Sequence, residues 1–368
     1  MEFSIDRGEF LQSLAPTQGV VERRNTLPIL ANVLLEAKSD LTVAATDLEV
    51  HIRRRSNAKV KTAGAATVGA RKLHELVREL KPGEITVRSL ENQFVEVVSG
   101  RSRVKLVGLP AADFPAFPHG EGKTKPTFTL PSDTLARMID RTLFAVSTDE
   151  TRAHLGGVYL TATDSVLRFV GTDGHRLALV DQPAKDAKPI EKGIILPRKG
   201  LAELRRLLDG SDGDIEATVS PNALRVQQGD VELVMRLIDG EFPNYEQVIP
   251  KATKSKIVVD KNELLSALRR VSVVASDRAR GVKLHVAEGQ LTISASSPDF
   301  GEASEEIEVA YAGESLSVGF NSRYLTDVLA VLPEDQRVEI GLIDDASPGV
   351  IRAEDDESYS YVVMPMRL

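Results

Sequence analysis

The sequence predicts an α+β protein made of three tandem pseudo-repeated domains, each with two helices packed on antiparallel sheets. Three observations carry the prediction. A strand–turn–strand motif recurs from Val33, Val158 and Val282, at intervals of 125 and 124 positions, and repetition at a fixed period marks repeated structural units. Each copy has a helix candidate before its hairpin and a short strand running into an amphipathic helix after it. Linker-type stretches, HGEGKTKP over 119–126 and PKATKSK over 250–256, separate the copies. The expected domains are 1–119, 126–250 and 256–368, each within the usual domain size.

The first copy opens on a weak helix signal, because Pro16 and Gly19 interrupt the spacing of Phe10 and Leu14. Its hairpin, VLLEAKSDLTVAATDLEVHIRR, turns at Ser39 and Asp40, and TVGARKLHELVREL from Thr67 supplies the second helix. In the second copy Ser132 can cap a helix whose Leu135, Met138, Ile139, Leu143 and Val146 recur at helical spacing. The hairpin VYLTATDSVLRFVGTDGHRLALV and then ILPRKGLAELRRLL from Ile195 follow. The third copy begins with Asp260 and Glu263 spaced as a capping box, ahead of Leu264, Leu268, Val271 and Ala275 on one stripe. In its hairpin Leu291, Ile293 and Ala295 alternate with Thr292 and Ser294, as a half-buried strand requires. SVGFNSRYLTDVLAVL from Ser317 gives the last helix. The copies close on LPAADFPAFP, IDGEFPNYEQVIP and VVMPMRL.

Composition excludes several classes of function. With 368 residues, 42% hydrophobic and 27% charged, the chain reads as an ordinary soluble protein with room for several cores. No apolar run has the length of a membrane span. The opening MEFSIDRGEF lacks the basic and hydrophobic regions of a secretion signal, so a cytoplasmic location is expected. The absence of cysteine rules out disulfides, thiol nucleophiles and sulfur-ligated zinc. Six scattered histidines include no pair at i, i+4, and neither a metal nor a cofactor is expected. A net charge of −8 argues against a surface that coats nucleic acid everywhere, and leaves open a local basic face.

The positive charges do gather on repeated helix faces. Arg137 and Arg141 lie opposite the Leu135, Ile139, Val146 stripe by the 100° turn per residue, and Arg269 and Arg270 repeat this in the third copy. Arg71 and Arg78, then Lys199 and Arg206, occupy the polar faces of the later helices, with Glu75, Glu203 and Asp140 interspersed. Equivalent faces of repeated domains point to one side of an assembly, which suggests non-specific contact with phosphates.

One stretch, GTDGHRLALV from Gly171, places Asp173 beside His175 and Arg176 as an acid–base site would. The repeat supplies a control. Asp173 corresponds to Asp47 in AATDLEV, which has no histidine nearby, and to SPDF around Asp299. No serine or cysteine nucleophile motif and no glycine-rich phosphate loop accompanies it, so the chain is not expected to be an enzyme.

RNTLPILANVLL, TDGHRLA, PRKG, GLPAADFP and YVVMPMRL, in this order over essentially the whole chain, resemble the bacterial DNA polymerase III β sliding clamps, the processivity subunits. The resemblance implies a head-to-tail homodimer forming a six-domain ring that encircles duplex DNA without reading its sequence. It names Arg24, Arg71, Lys72, Arg137, Arg141, Arg198 and Lys199 as DNA-facing. It implies a groove for short linear peptides with glutamine and apolar leucine or phenylalanine, through which the replicative polymerase, the clamp loader and other polymerases and repair factors dock. The groove wall would be Leu155, Thr172, Gly174, His175, Arg176 and Leu177 with Pro243, Val248, Val362 and Met364; the rim would be Arg152, Asn321, Tyr324, Pro365, Met366 and Arg367. After Arg152, Ala153 and His154 stand where family members often carry aromatic residues.

Ring closure needs complementary ends. Arg101, Arg103 and Lys105 near one edge are expected to meet Asp299, Glu302, Glu305 and Glu306, with Val104, Leu106, Val273 and Val274 packing between them. The competing reading is a three-domain scaffold that binds peptides without encircling DNA; a hydrolase using Asp173 and His175 stands behind both.

Overall fold

Alternating apolar residues give long antiparallel sheets, and their strand order follows one rule. The computed structural model describes residues 1–21, 27–118, 125–163, 165–276 and 280–368. The chain divides into two compact units, Met1–Ala136 with Lys199–Leu237, and Arg137–Arg198 with Ile238–Leu368.

The first unit holds a five-stranded sheet in the order Lys59–Thr62, Glu2–Asp6, Glu84–Ser89, Phe94–Ser99, Ser102–Val107. It also holds an eight-stranded sheet that runs from Phe128–Pro131 through Asp214–Ser220, Ala223–Gln228 and Val231–Arg236, then Val50–Ser56, Leu41–Thr46, Asn32–Ala37 and Gly64–Gly69. The second unit repeats the plan. Its eight-stranded sheet runs Ile190–Pro197, Gly157–Ala162, Val166–Thr172, Arg176–Pro183, then Tyr359–Val363, Gly349–Ala353, Arg337–Leu342, Ser255–Asp260. A four-stranded sheet follows the order Gly301–Glu308, Gln290–Ser297, Gly281–Ala287, Leu316–Asn321.

Each eight-stranded sheet is therefore a seam between sequence repeats. Val50–Ser56, the third hairpin strand of copy one, pairs with Val231–Arg236, the last strand of copy two, over five residue pairs from Val231↔Arg54 to Met235↔Val50. Arg176–Pro183 of copy two pairs with Tyr359–Val363 of copy three in the same way, from Arg176↔Val363 to Val180↔Tyr359. Two strands of these types remain at sheet edges: Ser102–Val107, the last strand of copy one, and Gly301–Glu308, the third hairpin strand of copy three.

Seven α-helices, α1 (Arg7–Leu14), α2 (Thr17–Val20), α3 (Ala70–Glu79), α4 (Ser132–Leu143), α5 (Arg198–Leu208), α6 (Lys261–Val271) and α7 (Ser322–Val331), are found among the described residues. Pro16 does break the first helix, and α2 resumes after it. Phe10, Leu14 and Val20 are nevertheless fully buried. Asp260 caps α6 by accepting from Glu263 N at 2.8 Å, and Asn321 caps α7 by accepting from Arg323 N at 3.0 Å. Ser132 differs from its expected capping role: it is the first helical residue, and its hydroxyl donates to Gly213 O at 2.6 Å. The stripes are as expected, with Leu135, Met138 and Ile139 buried in α4 and Leu264, Leu268 and Val271 in α6. Among the described residues no helix is long and apolar enough to cross a membrane.

Candidate functional site

The ten residues expected to wall a groove line one cavity of about 150 Å³ in the second unit. Leu155 ends a short 3₁₀ turn, Glu150–Leu155. Thr172 to Leu177 come from a tight turn between strands, and Pro243 and Val248 from the segment after Ile238. Val362 ends the last strand and Met364 follows it. The floor is core: Leu155, Leu177 and Val362 are buried and continue into Val170, Leu179, Ile195 and Phe242. Val248 and Met364, 39% and 40% exposed, stand at the mouth. An apolar cleft with a few fixed polar groups suits anchored peptide side chains.

Local chemistry fixes the turn. Asp173 Oδ1 accepts from the backbone N–H groups of His175 (2.9 Å) and Arg176 (3.1 Å), and the Thr172 hydroxyl accepts from Gly174 N at 3.1 Å while donating to Arg176 O at 2.6 Å. Gly174 sits at φ +89°, which favours glycine. Arg176, 8% exposed, anchors the turn from beneath. Its guanidinium donates to Asp173 Oδ2 at 3.1 Å, Asp327 Oδ2 at 2.6 Å and Phe144 O at 2.7 Å, and lies 4.5 Å from the Tyr324 ring centroid. Such partners are what a buried cation requires. Burial and then the Asp173 charge push the Tyr324 phenol upward, so it stays neutral beneath the guanidinium.

This geometry spends Asp173 on structure. Its carboxylate is taken by two backbone donors and Arg176, and the exposed His175 contributes its backbone N–H to it. The first copy builds the same turn, with Asp47 Oδ1 accepting from Glu49 N at 2.9 Å and Val50 N at 2.7 Å, and Leu48 at φ +81° in place of Gly174. The third copy keeps only part of it. Asp299 N donates to Ser297 Oγ at 3.3 Å, as Gly174 N does to Thr172, so the counterpart of Asp173 is Pro298 rather than Asp299.

The expected rim is less concentrated. Arg152 reaches the turn, donating to Asp173 O at 3.3 Å, and pairs with Asp149 at 3.5 Å. Tyr324 supports Arg176 and Asn321 caps α7. Pro365, Met366 and Arg367 lie beyond the cavity lining, where Met366 N donates to Gly319 O at 2.8 Å. Asn244 and Tyr245 line the cavity although the sequence reading passed over them. Their signal was the FPNYEQ stretch, an aromatic among turn residues.

The expected DNA-facing residues fall on α3, α4 and α5, and Arg24 lies outside the described residues. Arg71 is half-buried; Lys72 is exposed and bonded to Glu75 at 2.8 Å; Arg137 and Arg198 are exposed. Two others turn to internal partners. Arg141 pairs with Asp356 at 2.9 Å and stacks on Tyr359, and Lys199 pairs with the buried Asp47 carboxylate. The two unpaired strand edges carry the expected charge. Arg101, Arg103 and Lys105 are exposed and Val104 and Leu106 half-buried on one; Asp299, Glu302 and Glu306 are exposed beside the other, where Glu305 pairs with Arg270. Val273 is 78% exposed and Val274 half-buried.

Family models for the N-terminal, central and C-terminal domains of the DNA polymerase III beta subunit match residues 1–118, 129–244 and 246–367. The chain belongs to the DNA polymerase III β-subunit family. It is 40% identical over 370 residues to a beta sliding clamp of Pseudomonas putida and 38% identical to those of Caulobacter vibrioides and Escherichia coli, with full coverage of both chains each time. The crystal structure of the Pseudomonas aeruginosa DNA polymerase III subunit beta superposes with a TM-score of 0.95 at 38% identity over the full length of both chains. A second structure from that organism, a sliding clamp bound to griselimycin, gives 0.94 over the same coverage. The three-domain α+β fold is thus that of the β-subunit family.

Proposed function

We propose that this β subunit is a DNA polymerase processivity factor: two copies close head to tail into a ring around duplex DNA, slide on it, and tether partners through the groove. One observation carries the ring. Every seam between repeats joins the third hairpin strand of one copy to the last strand of the next, and the rule leaves over one strand of each kind, Gly301–Glu308 and Ser102–Val107. A second chain satisfies both at once, which is the condition for a heterologous contact that closes. The charges agree, since Arg103 and Lys105 would face Glu302 and Glu306. So do the exposed apolar groups, Val107 (68%) at one edge and Phe300 (58%) and Val273 (78%) at the other.

The repeats at 1–119, 126–250 and 256–368 are the domains of the ring. Lys72, Arg137, Arg198 and Arg71 are its better DNA-facing candidates, because Arg141 and Lys199 already have carboxylate partners. Phosphate contacts of this kind are weak, salt-sensitive and blind to sequence, as sliding demands. The replicative polymerase, the clamp loader and other polymerases and repair factors dock by linear peptides, and the site of action is the cytoplasm. Asp173 and His175 shape the groove and carry no catalysis.

Loaded protein is expected to stay on nicked circular plasmid through gel filtration and to be lost once the plasmid is linearised. Equal retention on both forms would favour the scaffold that does not encircle DNA. Removing Met364 to Leu368 deletes one wall of the cavity together with the bond from Met364 N to His175 O at 2.9 Å. Peptide affinity should fall at least about tenfold, the scale of losing a buried anchor contact, while light scattering still reports a dimer. Unchanged affinity would overturn the assignment of the groove.

A further inference from the structure

A second cavity, about 600 Å³, adjoins the first and shares its Pro243, Asn244 and Tyr245 lining. Its platform is aromatic. Tyr159 stacks on Phe242 with centroids 4.6 Å apart and planes 7° from parallel, and Tyr245 meets Tyr159 edge-on at 6.2 Å. The platform is built tightly: a Cβ at Gly193 would stand 2.1 Å from Tyr159 Cζ, so only glycine there lets the phenol lie in place.

The charges of this cavity are unbalanced. Arg168 is its only cation among the lining residues, against Asp181, Glu241 and Glu246. Arg168 is already committed, giving both Asp181 oxygens a hydrogen bond at 2.7 Å and lying 3.4 Å from the Tyr245 hydroxyl. It has little left for a ligand carboxylate. Glu241 and Glu246 are exposed, and Glu246 reaches Arg168 only at 3.8 Å. A site with electron-rich ring faces and outward carboxylates suits a planar cation that both stacks and donates in a fork, which is the chemistry of arginine.

We propose that this cavity is a flanking subsite that reads an arginine next to the apolar anchors of a docked peptide. It rests on the groove reading above, and deepens it by naming a selectivity determinant: partners whose anchor is followed or preceded by basic residues bind more tightly than those with acidic flanks. The shared Pro243–Tyr245 lining is the path from one cavity to the other, so a single extended chain spans both.

The test is fluorescence anisotropy with a core peptide of glutamine and leucine or phenylalanine anchors, and with the same peptide extended at either end by two arginines or two glutamates. Arginines at one of the ends should tighten binding about threefold to tenfold, the range of a partly screened ion pair with a cation–π contact. High salt should shrink the gain. Glu241→Lys/Glu246→Lys should abolish it while leaving the core peptide unchanged, and should favour the glutamate-extended peptide instead. Arginine extensions that bind like the core peptide at both ends, or a gain that survives the charge reversal, would overturn the subsite. A core peptide that fails to bind at all would overturn the groove reading itself, a result distinct from either.

Discussion

Reversing the charge of one free strand edge, in Arg103→Glu/Lys105→Glu, is expected to leave the protein monomeric at micromolar concentration. Glu302→Lys/Glu306→Lys should do the same from the other edge. In either variant both junctions of a head-to-tail ring oppose like charges. At about 1.5 kcal/mol per junction the dissociation constant weakens roughly a hundredfold or more. The mixture is the decisive sample. When the two variants are combined, each junction again pairs a basic edge with an acidic one, so a heterodimer should form from two proteins that do not dimerise alone. Sedimentation velocity distinguishes these states. An interface made of identical patches predicts no such rescue, and a mixture that stays monomeric would rule out the pairing of these edges. The variants should fold normally, because Arg103, Lys105, Glu302 and Glu306 are all exposed, and Gln290 Nε2 is the neighbour that loses a bond when Glu306 is changed.

How much of this was legible in the sequence depended on whether the signal was local. The third hairpin was readable because Leu291, Ile293 and Ala295 are buried on one face while Thr292 and Ser294 are not, and strand periodicity records that directly. The wall of the cavity was reachable through family resemblance, since its residues sit in short, distinctive segments. The seams between repeats were not readable: the pairing of Val234 with His51, or of Leu177 with Val362, spans well over a hundred residues and leaves no local trace. Helical phase placed Arg141 and Lys199 on polar faces correctly, yet could not reveal that Asp356 and Asp47 wait for them there. Aligning the three loops by their aspartates also misled, because Ser297 and Asp299 preserve the hydroxyl-capped turn while shifting the carboxylate by one position. Pairwise partners brought together by the fold, and one-residue offsets within a loop, lie outside what spacing alone encodes.

Arg176 shows the same limit with the largest consequence for stability. On the sequence it sits beside His175 like a member of a catalytic pair; in the structure it is a buried cation with two carboxylates, a carbonyl and two aromatic faces around it. Arg176→Ala should destabilise the second unit by about 3–5 kcal/mol, the usual cost of removing one partner from a buried charged network. The loss has two physical parts: Asp327 and Phe144 O lose a donor, and the void beneath Tyr324 removes packing. Arg176→Lys should recover only part of it, because an ammonium cannot bond in three directions while lying flat against a ring. His175→Ala removes an exposed side chain and should leave thermal unfolding near the wild type. Peptide affinity separates the roles further. His175→Ala should weaken binding through the lost wall alone, whereas Arg176→Lys should weaken it by letting the Thr172–Leu177 turn shift, and tightening from Gly174→Pro or other stiffening of that turn should not restore it, since the missing constraint lies underneath. If Arg176→Ala melted with the wild type, the arginine would be a surface group of the groove and its three hydrogen bonds would contribute nothing to holding the turn.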